Sequence, residues 1–191
     1  PIYGESRNGH EFIGQALEQG AVAAVADEAF SGDDHTRHLR VDDTTVALGM
    51  LARYWRERFS VPVVGITGSN GKTTVCGMVS TLFAEHIPGI APQGSFNNHW
   101  GVPLTLLKLR ESHRSAVIEM GMNHAGELSY LGEIVKPTIG LITNAAAAHL
   151  QGLKTVEGVA QAKGELIDFV ASEGTVVLNR DDRFYSSWKA R

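Results

Sequence analysis

The chemistry in this chain is densest between residues 65 and 74, which read Gly-Ile-Thr-Gly-Ser-Asn-Gly-Lys-Thr-Thr. A glycine-rich turn ending in Lys-Thr lets backbone N–H groups approach phosphate oxygens. A following helix adds its positive N-terminal end. In such a loop Gly68, Ser69, Asn70 and Gly71 cradle the phosphates, together with Thr73 and Thr74 as the helix opens. Lys72 reaches the β- and γ-phosphates, and the Thr73 hydroxyl holds Mg²⁺. The common G-x-x-x-x-G-K-[ST] pattern requires glycine at 66, where this chain has Ile66, so the spacing is a shortened G-x-x-G-K-T. The plainer alternative is a glycine-rich turn carrying a surface lysine.

Two further groups complement a phosphate site. Glu119 ends the apolar run Ala116-Val117-Ile118. A carboxylate there can ligate Mg²⁺ beside the phosphate loop, or simply be solvated. Lys163 lies in the stretch TVEGVAQAKGELIDFV. At helical spacing, Val156, Val159, Ala160, Leu166, Ile167 and Val170 all fall near it, while Glu157, Gln161, Glu165 and Asp168 lie opposite. A lysine at the centre of a buried face has two readings. Its stem can snorkel, bringing the ammonium to water. Alternatively, burial lowers its pKa and leaves neutral amine, which can add CO₂ to form a metal-ligating carbamate.

His149, after four alanines, is a candidate for metal or phosphate, or else a loop histidine satisfied locally. Asn97 and Asn98, and the pair Asn123 and His124, can form turns or bind substrate. Cys76 reads as core.

These groups need a scaffold that brings strand ends together. Apolar runs at 61–67, 115–119, 138–143 and 175–179 read as strands. Stretches 73–86, 126–135 and 155–170 read as helices between them. Val75, Met78, Val79, Leu82 and Phe83 are expected on the inner face of the first of these helices. Alternation of this kind implies right-handed βαβ crossovers and an α/β fold, with a mostly parallel sheet flanked by helices. Such sheets bind ligands at the carboxyl ends of their strands, where Thr67-Gly68-Ser69, Glu119 and Thr143-Asn144 fall.

Upstream, residues 11–19 read as a short helix and 21–26 as a small-residue strand. Residues 44–59 read as an amphipathic helix, opened by Asp43 or Thr44, with Val46, Ala47, Met50, Leu51 and Tyr54 inward. The change of rhythm at Pro62 puts a boundary near residue 60, dividing 1–60 from 61–191.

Composition agrees. With 191 residues, 43% hydrophobic and 20% charged, the chain has a globular profile. A net charge of −4 gives no basic excess for nucleic acid or anionic membrane. One cysteine excludes an internal disulfide. No apolar run reaches the ~18 residues of a membrane helix, and the first residues carry no signal-peptide pattern. The absence of Met at position 1 suits a processed or excised piece.

Together the stretches TGSNGKTT (67–74), QGSFNNHWGVPLTLL (93–107), VIEMGMNHAGE (117–127), TNAAAAHLQG (143–152) and GVAQAKGE (158–165) resemble the Mur ligase family. Within it, the 93–107 and 143–152 stretches resemble the branch that adds D-alanyl-D-alanine to a UDP-MurNAc-tripeptide. GESRNGHEFI (4–13) is similar to the end of that family's small UDP-sugar domain, with Asn8 where similar chains have Asp.

The resemblance implies a P-loop, ATPase-like central domain, incomplete here, preceded by part of the UDP-MurNAc-binding domain. It implies ATP and Mg²⁺ as cofactors, and UDP-MurNAc-tripeptide and D-Ala-D-Ala as substrates. The product is an amide formed through an acyl phosphate, in peptidoglycan precursor synthesis. By motif match Lys72 contacts ATP phosphates, Thr73 and Glu119 hold one Mg²⁺, and His149 and a carbamylated Lys163 serve a second metal. Asn97, Asn98, Asn123 and His124 fall on the sugar-peptide side. The expectation is a cytoplasmic monomer that binds neither nucleic acid nor membrane. Its catalysis is expected to need the parts that family members add beyond this stretch.

Three rivals remain. One is a sister ligase with a shorter precursor, or a folylpolyglutamate synthetase. Another is a guanine-nucleotide switch, partly matched by Asn179-Arg180-Asp181-Asp182. The third is a scaffold with an inert loop.

Overall fold

The structure is a computed structural model that describes residues 1–4, 7–28, 30, 37–92, 94, 96–148 and 150–191, with backbone only at 150. It forms two compact units, Pro1–Met50 and Leu51–Arg191. The division falls inside a helix rather than near residue 60. The second half of that helix is bound to the larger unit through Ala52, Trp55 and Arg56.

In the first unit a 3-10 turn, Gly9–Phe12, leads into α1, Ile13–Glu18. Strands β1, Ala24–Ala26, and β2, His38–Arg40, pair in parallel. Asn8 caps the turn, its Oδ1 accepting from His10 N at 3.0 Å and lying 2.9 Å from His10 Nδ1. Asp27 N donates to Nε2 of the buried His10 ring at 3.3 Å, and Asp27 Oδ1 lies 3.4 Å from the same nitrogen. Asparagine thus supplies the acceptor that aspartate would supply at this position.

The second unit is built on a parallel sheet. Its strands are β3 (Val63–Thr67), β4 (Ala116–Glu119), β5 (Ile139–Ile142) and β6 (Thr175–Leu178), in spatial order β4-β3-β5-β6. The expected strands are all present, trimmed at their ends. After β3 the chain steps to β4 on one side, then crosses to β5 on the other. The carboxyl end of β3 is therefore a topological switch point, where α/β sheets open a crevice.

Helix α3, Lys72–His86, packs on one face, where Val64, Ile66, Cys76 and Val117 form a core joined by Val75, Val79 and Phe83. Met78 and Leu82, expected inward, are 61% and 69% exposed. The narrow seam through 75, 76, 79 and 83 is enough to cover the strands.

A larger core joins residues of the sheet to α4 (Gly101–Leu106), α5 (Glu127–Val135) and α7 (Val156–Asp168). The chain just past α7 comes close to the sheet because Gly140 leaves room for Val170, which a Cβ there would meet at 2.7 Å. α4 and the short helices α6 (Leu150–Leu153) and α8 (Tyr185–Lys189) have too few turns to show a periodicity and were not expected.

Helix α2, Thr44–Glu57, is opened by Asp43, whose Oδ1 accepts from Thr45 N and Val46 N. Its orientation reverses the expectation. Val46, Met50, Leu51 and Tyr54 are about half exposed or more, while Thr44, Ala52 and Arg56 are buried. Arg56 decides this. Its guanidinium donates to the carbonyls of Val135 and Lys136, which end α5, and to Phe59 O. Terminal helix carbonyls need such donors. No helix among the described residues is long and apolar enough to cross a membrane.

Candidate functional site

The phosphate loop connects β3 to α3 as the sequence requires. Gly71 sits at φ 79° as the N-cap of α3, a left-handed conformation that suits glycine. Gly68, at φ 150°, passes so close to β5 that a Cβ would collide with Thr143 Oγ1. Lys72 Nζ folds back to donate to Gly68 O at 2.9 Å.

The loop is laced to the segment after β5. Ser69 N donates to Asn144 O at 3.0 Å, and Asn70 N to Asn144 Oδ1 at 3.1 Å. Thr143 Oγ1 donates to Asn70 O at 2.7 Å, and Ala146 N to Ser69 Oγ at 2.9 Å. Asp182 braces that segment in turn, accepting from Ala145 N at 2.8 Å. The two loops are thereby held as one frame before any phosphate arrives.

Glu119 ends β4 directly beside Ile66 of β3. It is 1% exposed. Oε1 accepts from Asn97 Nδ2 at 2.7 Å, while Oε2 is buried without a hydrogen-bond partner among the described residues. The Thr67 hydroxyl is orphaned in the same way at the end of β3. A buried carboxylate oxygen left unsatisfied is costly, and a cation is the ligand that satisfies it. Burial, and secondarily the nearby Glu119, push the Cys76 thiol up to about 12. That thiol is core, as expected.

Lys163 is 1% exposed, so its ammonium does not snorkel to water. Burial, and secondarily the charge of Lys72, lower its pKa to about 7. The Lys72 charge thus acts on a buried amine carried by α7.

On the side of the loop away from Asn144 lies a cavity of about 430 Å³, lined by Lys72, Asn97, Asn98, Asn123 and Glu127 among others. Asn97 supports Glu119, and its carbonyl accepts from Gly121 N at 2.8 Å. Asn98 is also a cap, its Oδ1 accepting from Trp100 N and Gly101 N at the start of α4. His124 does not line the cavity; its Nδ1 pairs with Glu127 Oε1 at 3.0 Å. Glu127 also accepts from Asn123 N at 2.7 Å. Burial raises the Glu127 pKa, but hydrogen bonds from Asn123 and His124 outweigh it and leave the pKa lowered. Thr73 and Thr74 are exposed at the opening of α3. His149 lies outside the described residues. Among the described residues no cluster of three His, Cys, Asp or Glu side chains forms a metal site. A cation here would rest on Glu119 and hydroxyl oxygens.

Two supporting residues went unread in the sequence. His99, absent from the motif reading, lines the cavity. Glu165, placed opposite the apolar face of its helix, reaches across to α5. The helical period correctly placed it off the apolar seam but could not tell what stood there.

Residues 66–191 match the family described as Mur ligase middle domain. The chain is 42% identical to a UDP-N-acetylmuramoyl-tripeptide–D-alanyl-D-alanine ligase of Synechocystis, over 95% of this chain and 40% of that protein. It is 40% identical to the ligase of the same name from Haemophilus influenzae, over 98% of this chain and 42% of that one. A crystal structure of MurF from Acinetobacter baumannii superposes with TM-score 0.90 at 34% identity, over 99% of this chain and 42% of that one. MurF from Thermotoga maritima in complex with ADP superposes with TM-score 0.86 at 29% identity, over 97% and 43%. The chain thus spans about two fifths of the length of the relatives it matches.

Proposed function

The chain belongs to the Mur ligase family, and from that premise we propose that it is the phosphate-handling part of a UDP-MurNAc-tripeptide–D-alanyl-D-alanine ligase. The larger unit, Leu51–Arg191, belongs to the ATP-binding central domain, and the smaller, Pro1–Met50, to the UDP-MurNAc-binding domain. The observation that carries the reading is the buried, half-satisfied Glu119 beside a phosphate loop.

The chemistry follows from charge. The terminal carboxylate of the tripeptide attacks the γ-phosphorus of ATP, giving an acyl phosphate and ADP. The amine of D-Ala-D-Ala attacks that carbonyl, and the resulting intermediate expels phosphate to leave an amide. Every step gathers negative charge, so the protein's part is positioning and neutralisation. Lys72 leaves Gly68 O for the β- and γ-phosphates, and the loop N–H groups hold their oxygens. Thr73 and Glu119 would hold Mg²⁺, which supplies further neutralisation of the phosphates. Asn97 fixes Glu119 so that one oxygen stays available. Lys163, with much of its amine neutral near pH 7, is suited to become a carbamate that, with His149, serves a second metal. Asn97, Asn98 and Asn123 line the cavity that receives the sugar-peptide, with His124 holding its rim through Glu127. The protein works as a monomer in the cytoplasm, where nucleotide-linked precursors are made.

The test offers the full gene product ATP, Mg²⁺ and UDP-MurNAc-tripeptide, with D-Ala-D-Ala or single amino acids. A mass gain of one dipeptide, lost in Lys72→Ala, is the expected result. Ligation of a single amino acid alone would move the chain to a sister branch. No ATP-dependent product from a folded, nucleotide-binding protein would overturn the ligase reading.

A further inference from the structure

Glu165 stands on α7, two residues beyond Lys163, yet its carboxylate is spent on another helix. Oε1 accepts from Gly126 N at 2.8 Å. Oε2 accepts from Ser129 N at 3.0 Å and from Ser129 Oγ at 2.9 Å. Gly126 is the N-cap of α5 and has no side chain with which to cap it; its left-handed φ of 86° turns the chain there. α7 therefore supplies the cap that α5 lacks, with a charged acceptor, the stronger kind of hydrogen bond. Residues Asn123, Ala125, Gly126 and Glu127 form one wall of the cavity that Lys72 also lines. The phosphate loop, by contrast, is laced to residues 143–146.

We propose that Glu165 is a positioning residue that locks the cavity wall at 121–127 to the helix carrying Lys163, and so sets how the sugar-peptide is held relative to the phosphate site. The proposal rests on the ligase reading above. Because the lock bypasses the phosphate loop, its loss should weaken the sugar-peptide and spare ATP.

The test uses the full gene product, wild type and the variants Glu165→Ala, Glu165→Gln and Ser129→Ala. Steady-state kinetics on each substrate are paired with amide hydrogen exchange over residues 121–129. Loss of hydrogen bonds to a charged acceptor predicts that Glu165→Ala raises the KM for UDP-MurNAc-tripeptide about tenfold, with the KM for ATP within about twofold. Glu165→Gln, whose amide nitrogen cannot accept from an N–H, gives a smaller rise. Ser129→Ala, which keeps its backbone N–H, gives a rise of about twofold. Exchange over 121–129 quickens in step. Equal rises in both KM values, or a fall in kcat alone, would overturn the proposal. If Glu165→Ala does not fold, unchanged KM and exchange in Glu165→Gln and Ser129→Ala overturn it as well. If the wild type ligates nothing, the ligase reading fails by itself, and unchanged exchange in the variants rejects the lock separately.

Discussion

Replacing Lys163 with methionine keeps the apolar stem and deletes the titrating group, so the difference between the two proteins isolates one buried amine. Its pKa falls from 10.5 to about 7 on folding, through burial and then the charge of Lys72. At 1.36 kcal/mol per unit, the full drop corresponds to about 5 kcal/mol. The sign follows from proton counting. Between pH 7 and 10.5 the unfolded chain holds a proton that the folded chain has released, so stability rises with pH across that window. Below about pH 7 both states are protonated, and the whole penalty is present. Between pH 6 and 9 the wild type should gain about 2–3 kcal/mol relative to Lys163→Met, and at pH 6 the variant should be the more stable protein. Urea unfolding of both chains in CO₂-free buffer, from pH 6 to pH 9, measures the difference directly, because every shared group cancels. Parallel curves, separated by a constant within about 0.5 kcal/mol, would refute the buried amine and with it the route to a carbamate. Adding ¹³C-bicarbonate near pH 8 should then give a carbamate carbon signal in the wild type that Lys163→Met lacks.

Other outcomes follow from the same geometry. Gly68→Ala places a methyl group onto Thr143 Oγ1 at a left-handed φ, so it should cost about 1–3 kcal/mol in chemical unfolding and abolish ATP binding by calorimetry. Glu119→Gln removes a buried charge with an orphaned oxygen, so the fold should be unharmed or more stable by melting temperature. Its Mg²⁺-dependent gain in ATP affinity should nevertheless fall at least about tenfold. The Cys76 thiol, pushed up to about 12 and 3% exposed, should resist alkylation at pH 8 in the native chain and react once urea unfolds it.

Much of the site was legible because it is local. The turn Gly68–Lys72 and the helix after it are contiguous, so their chemistry can be read from order alone. Strands β3 to β6 announced themselves as apolar runs between helical stretches, and their parallel pairing followed from connectivity. Lys163 was legible halfway. The helical period put it on the inner face, but whether its four-carbon stem reached water depended on what covered that face.

What the sequence alone determined, then, is the phosphate loop, the polar residues at the ends of the apolar strands, and the family likeness carried by short contiguous stretches. Only the tertiary structure decided which polar groups find partners across the chain. Arg56 turns α2 inward because the carbonyls ending α5, some eighty residues on, need a donor, and Val46, Met50 and Tyr54 are left outward as a result. Glu165 faces α5 rather than water because Gly126 cannot cap its own helix. Apolar periodicity encodes how much surface a helix can bury. It does not encode unsatisfied hydrogen-bonding groups on distant segments, and those fixed the orientation of these two side chains.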